Sequence, residues 1–170
     1  MPKSLSQKNY ITVLNRLKSA LKGKVIIIGI GNTLRFDDGI GIVLTRRLKD
    51  RLPYSVWDIT STLENYLEKI IKEKPDTLII IDAVDFGGLP GEIKLFDPLS
   101  LKTANLFSTH NISLSLAINY LQSNLKVDII ILAIQPKRVS FAKGLSSELK
   151  RSLRFLEDYF IDYAEKTKKG

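Results

Sequence analysis

Asp38, Asp82 and His110 are the side chains in this 170-residue sequence best suited to hold a divalent ion or move a proton. Asp38 stands beside Asp37 in the glycine-rich stretch Gly29-Ile30-Gly31-Asn32-Thr33-Leu34-Arg35-Phe36-Asp37-Asp38-Gly39-Ile40-Gly41. Asp82 interrupts the apolar run Leu78-Ile79-Ile80-Ile81-Asp82-Ala83-Val84, where a carboxylate is costly unless it is bonded or exposed at the sheet edge. His110 is the single histidine, and there is no cysteine. That scarcity excludes a disulfide scaffold, a cysteine protease, an iron–sulfur protein and a thiolate zinc site. It also excludes the H-E-x-x-H metalloproteases, which need two histidines on one helix. A metal site built by this chain alone rests on oxygen ligands with at most one imidazole. Two carboxylates and one imidazole suit zinc or nickel, with coordination positions left open.

Each of these residues also has a plainer reading. Asp37 or Asp38 can cap a helix, which is worth about 1 kcal/mol. A cap uses one carboxylate and leaves the other unexplained. Asp82 can bond a loop backbone, and Asp85 already sits among turn residues. His110 can be a histidine at a helix end. With Ser108 or Thr109 as cap, the positive end of that helix keeps the ring neutral, which is the form that binds metal. The glycine-rich turn also invites a dinucleotide site and hence a nucleotide-binding α/β enzyme. The third glycine of G-x-G-x-x-G falls on Leu34, however, and Asp37 and Asp38 put negative charge where a pyrophosphate wants positive potential. Asp58 could imitate the ribose-binding acid, but it does not repair the phosphate site.

The elements that position these residues follow from hydrophobic period. Residues 4–22 read as a helix through Tyr10, Val13, Leu14, Leu17 and Leu21. Lys24–Ile30 reads as a buried strand, Ile40–Leu52 as a helix ending before Pro53, and Ser55–Thr60 as a second strand. Ser61 and Glu64 form a possible capping box for a helix through Leu63, Tyr66, Leu67, Ile70 and Ile71. Thr77–Ala83 is a third strand. After the turn residues Gly87–Gly91, Glu92–Phe96 reads as an antiparallel return. Residues 97–109 read as irregular, a helix starts near His110, Asp128–Ile134 is the last strand, and residues 145–165 form a terminal helix.

The expected fold is α/β: a three-layer α/β/α sandwich around a mostly parallel sheet of about five strands with one antiparallel strand. The expected organisation is a single domain, 1–170, with an extra N-terminal helix at 4–22. In parallel strands, Asp38 and Asp82 both fall at the carboxyl edge of the sheet, where open α/β sheets place ligands. Residues 97–109 span up to roughly 43 Å when extended, enough to carry His110 back across.

The net charge of +8 is spread along the chain, so no nucleic-acid partner is expected. A weak docking field for an acidic protein is compatible with it. No apolar run approaches the roughly 20 residues that span a bilayer, and no signal peptide is apparent, so a cytoplasmic location is expected.

These motifs resemble the hydrogenase maturation endopeptidases, which trim the C-terminus of the large subunit of nickel–iron hydrogenases. The family opening G-x-G-N-x-L-x-x-D-[DE]-x-x-G matches Gly29 to Gly41. A second block, D-A-x-D-x-G-x-x-P-G, matches Asp82-Ala83-Val84-Asp85-Phe86-Gly87-Gly88-Leu89-Pro90-Gly91. His110 matches a histidine that opens a helix after a loop. Ile134-Gln135-Pro136 and Gly144-Leu145-Ser146 resemble the family's final strand exit and last helix start. The resemblance spans residues 24–160.

It implies an aspartic-type endopeptidase whose catalytic and metal-contacting residues are Asp38, Asp82 and His110. It implies nickel carried by the substrate, no tightly bound cofactor of the chain's own, and a monomer acting on the hydrogenase large-subunit precursor. Without thiolates such a site binds nickel less tightly than the substrate's cysteines, so it can test for the ion without removing it. Asp38 is either general base or ligand in this scheme. A non-catalytic nickel chaperone is the other outcome of the same ligand set. The chain departs from the family in the helix at 4–22 and in Asp58–Asn65, which lacks a glycine turn.

Overall fold

The computed structural model describes residues 7–60, 62–103 and 111–169. Its strands are β1 (Val25–Ile30), β2 (Ser55–Ile59), β3 (Thr77–Ala83), β4 (Ile93–Phe96) and β5 (Asp128–Ile134). β1, β3 and β5 are nearly continuous runs of isoleucine, leucine and valine. A strand that is apolar on both faces must be covered on both. These three occupy the middle of a five-stranded sheet of order β2-β1-β3-β5-β4. β2 and β4, with their half-buried positions, take the edges. All pairings are parallel except β4 with β5.

The helices are α1 (Gln7–Ala20), α2 (Ile40–Leu48), α3 (Leu67–Glu73), α4 (Pro98–Thr103), α5 (Asn111–Asn124) and α6 (Ser147–Lys168). α1, α2 and α6 cover one face of the sheet, burying Leu17, Leu44, Leu153 and Phe160 against Ile27, Ile79 and Leu132. α3 and α5 cover the other, burying Ile70, Leu114 and Ile118 against Ile28, Ile80 and Ile131. This is the three-layer α/β/α sandwich expected from patterning, including its one antiparallel strand.

Local details differ from the sequence expectations. β4 does run antiparallel, but it pairs with β5 and not with β3. β5, apolar and buried throughout after Asp128, takes the interior slot between them, and the half-buried β4 is left at the edge. Within the stretch expected to be irregular, residues 98–103 form α4. Asp97 opens it by accepting the Ser100 N–H at 2.7 Å, and Pro98 sits at the first helical position, where its missing N–H costs nothing. Ser61 lies outside the described residues. The following 3-10 turn, Leu63–Tyr66, has Thr62 at its N-cap with no side-chain cap bond.

The extra N-terminal helix is part of the packed structure. Leu17 and Tyr10 are buried, and the Tyr10 ring meets Phe155 of α6 edge-on at 4.4 Å. Tyr159 on α6 donates a hydrogen bond to the Leu14 carbonyl at 2.9 Å.

Candidate active site

β1 ends at a turn that only glycine can begin. Gly31 has φ 145°, and a side chain there would run into the Asp38 carbonyl. Asn32 then bends the chain by accepting the Leu34 N–H at 2.9 Å, which is the turn chemistry expected of asparagine. A 3-10 turn, Phe36–Gly39, follows and leads directly into α2. Gly41, in the first turn of α2, lies against the carbonyls of Ile30 and Ile81, so no side chain fits there. The start of α2 therefore sits over the junction of β1 and β3.

That junction is the switch point of the sheet. From β1 the chain passes through α2 to β2 on one side, whereas β3 lies on the other. Connections leave such a point in opposite directions and open a crevice at the carboxyl ends of the strands. Asp38 comes from the turn after β1 and Asp82 from the end of β3, and the 36–39 turn packs against β3. Both carboxylates are buried, Asp38 at 2% exposure and Asp82 at 0%. Their oxygens Asp38 Oδ2 and Asp82 Oδ1 are sealed from bulk water.

Asp37 has a different employment. It is fully buried and accepts hydrogen bonds from the backbone N–H groups of Lys137 (2.9 Å), Arg138 (3.1 Å) and Ser146 (2.7 Å). The Ser146 hydroxyl adds a fourth at 2.9 Å. Ser146 is the N-cap of α6, so Asp37 ties the 36–39 turn to the start of the last helix. Neither acid caps a helix of its own: Arg35 and Gly39 hold the N-cap positions of the 3-10 turn and α2.

The loop after β3 is held by a residue whose role pattern reading did not define. Gln135, at the end of β5, accepts the Phe86 and Gly88 N–H groups and donates to Asp85 at 3.0 Å. Asp85 also accepts the Gly87 N–H through the same Oδ1, so that oxygen is committed to holding the loop. A glutamine ending an apolar strand is the sequence signal for such a clamp. Asp58, the candidate ribose acid, pairs with Arg46 at 2.9 Å instead. His110 lies outside the described residues. Among the described residues no group of three or more His, Cys, Asp or Glu side chains is gathered to hold a metal.

Residues 43–162 match the family model described as HycI, hydrogenase maturation protease. The chain belongs to the hydrogenase maturation protease family. It is 35% identical over 131 residues to the hydrogenase 3 maturation protease of Escherichia coli K12, covering 74% of this chain and 81% of that one. The crystal structure of the [NiFe] hydrogenase maturation protease HycI from Thermococcus kodakarensis superposes with a TM-score of 0.78 at 29% identity, covering 88% of this chain and 99% of that one. The solution structure of the endopeptidase HycI from E. coli gives 0.72 at 29% identity, covering 83% and 91%. The chain is thus a peptidase with the fold of this family. Asp82 and His110 lie within the span matched by the family model, and Asp38 precedes it.

Proposed function

We propose that this protease removes the C-terminal peptide of a nickel-loaded nickel–iron hydrogenase large-subunit precursor, and that Asp38, Asp82 and His110 contact the nickel the substrate brings. The observation that carries the reading is the placement of two buried carboxylates at the carboxyl edge of the sheet, Asp38 in the turn that packs against β3 and Asp82 at the end of β3 itself. Carboxylate oxygens are a ligand type that a divalent ion accepts, and the carboxyl edge of the strands is where open α/β sheets place ligands. Asp82 has the same strand parity as Leu78 and Ile80, whose side chains pack with α5, the helix beginning at the residue after His110. Family membership supports the protein substrate. So does the rim of the crevice, where the loops following β1, β3 and β5 expose Leu34, Leu89 and Phe141. In hydrolysis the water oxygen bonds the scissile carbonyl carbon, the C–N bond breaks, and the departing nitrogen gains a proton. Nickel held by the substrate's own ligands sets the position of that carbonyl.

The test follows the mass of the precursor after mixing with purified protease. The wild type should shorten nickel-loaded precursor and leave nickel-free precursor intact. Asp38→Ala, Asp82→Ala and His110→Ala should each leave it full length. Normal cleavage by all three variants would refute the site, and equal cleavage of nickel-free precursor would refute the reading of nickel. Nickel binding with no cleavage by the wild type would favour the chaperone outcome.

A further inference from the structure

A cavity of about 350 Å³ opens between the 36–39 turn, α2 and α6, beside the crevice. Its volume is in the range of sites that bind ligands. The apolar part of its wall comes from Phe36, Val43 and Leu153, and its charged part from Arg47, Lys150 and Arg154. Among the described residues no acidic one lines it. Lys150 and Arg154 are four residues apart, so they project from the same face of α6. Among the described residues none of the ion pairs involves either of them. Arg47 reaches Glu157 at 3.0 Å, but Arg51 shares that carboxylate at 2.8 Å. The cavity therefore keeps a surplus of positive charge above an apolar floor.

Phe36 links this cavity to the crevice. It directly precedes Asp37 and Asp38, and its backbone is held at φ 54°, an outlier for a bulky side chain. Its ring stacks under the Arg138 guanidinium at 4.3 Å. Strain of this kind persists where the surroundings fix it, and it concentrates at ligand sites.

We propose that the cavity is a substrate subsite for a peptide segment carrying a carboxylate next to an apolar side chain. The cations take the carboxylate and the floor takes the side chain. A chain seated there is led past Phe36 to the crevice. A neutral or basic segment leaves Lys150 and Arg154 unanswered, so the subsite selects among protein C-termini. This subsite rests on the protease reading for its kinetics, whereas its binding can be measured without any cleavage.

The full chain, labelled with 15N, is titrated with the dipeptide N-acetyl-Leu-Glu and with its neutral counterpart N-acetyl-Leu-Gln-amide. The acid should move the amides of Gly39, Val43 and Leu153 to saturation, and the neutral peptide should bind about tenfold more weakly or less. Lys150→Glu combined with Arg154→Glu, both exposed positions, should abolish the shifts with the spectrum otherwise native. With nickel-loaded precursor that double variant should raise KM about tenfold while kcat stays within about twofold. Lys150→Arg with Arg154→Lys should restore KM. Equal binding of the neutral peptide, shifts centred elsewhere, or an unchanged KM would overturn the subsite. Cleavage by the wild type without the dipeptide shifts overturns the subsite alone. Dipeptide shifts without any cleavage overturn the protease reading, and with it the assignment to substrate.

Discussion

Asp37 and Asp38 are neighbours in sequence with opposite employments. Asp37 spends its whole carboxylate on four donors, three of them backbone N–H groups. Asparagine at this position keeps the shape but loses the charge and replaces one acceptor oxygen with a donor facing donors. Asp37→Asn should therefore lower unfolding stability by about 3 kcal/mol in urea titrations, since bonds to a charged acceptor are the strong ones and buried donors would lose partners. Asp38→Asn should move the urea midpoint less and abolish precursor cleavage. If Asp37→Asn unfolds at the wild-type midpoint, the four-bond anchor is not what holds the loop. The sequence shows that one acid of the pair exceeds what a cap needs. It does not show which, because the partners of Asp37 lie from 100 to 109 residues downstream. The switch-point carboxylates are legible for a simpler reason: Asp38 follows the apolar β1 by a short glycine-rich turn, and Asp82 interrupts the apolar end of β3.

Helix α1 shows what periodicity delivers and what it omits. The spacing of Tyr10, Val13, Leu14, Leu17 and Leu21 marks the packed face; Tyr10, Leu17 and Leu21 are buried, and Val13 and Leu14 are half-buried. The docking of this face on α6 is not legible, since it depends on Phe155 and Tyr159 much later in the chain. The Tyr10 hydroxyl is buried with no hydrogen-bond partner among the described residues, a polar group in an apolar seam. Tyr10→Phe keeps the edge-on contact with Phe155 and removes that hydroxyl. It should raise stability by about 1 kcal/mol, read as a higher urea midpoint, because an unsatisfied buried hydroxyl carries its desolvation cost uncompensated. Burial also pushes the Tyr10 phenol well above its ordinary value of 10.0. A raised value in the folded chain keeps its stability below that pH and loses it as pH climbs further, since only the unfolded chain ionises readily. The alkaline fall in stability should be shallower in the variant. A destabilised Tyr10→Phe would mean that the hydroxyl has a partner. The same limit explains β4: its alternation identifies an edge strand, but only the arrival of β5 decides which neighbour it pairs with.

The crevice depends on a ladder assembled from distant parts of the chain. β1, β3 and β5 pair in parallel along most of their length, although β5 begins 45 residues after β3 ends. Their composition makes the central position legible, because a strand apolar on both faces has no other stable place. The order of insertion is not legible, because β4 and β5 both satisfy the local pattern beside β3. Stability should divide along these lines. β4 spans only Ile93–Phe96 and is paired on one side, so it can open while the central ladder stays closed. In native-state hydrogen exchange, the protected amides of Ile27, Ile80 and Ile131 should open only with global unfolding. Their exchange free energy should then equal the urea value. The protected amides of β4 should exchange through a smaller opening, about 2 kcal/mol or more below the global value, with weak dependence on urea. Equal protection in β4 and β5 would show that the sheet opens as one unit. The expected difference has a functional consequence. Asp82 lies in β3 and Asp38 in the turn that packs against β3, and neither element pairs with β4, so opening of β4 leaves both carboxylates in place.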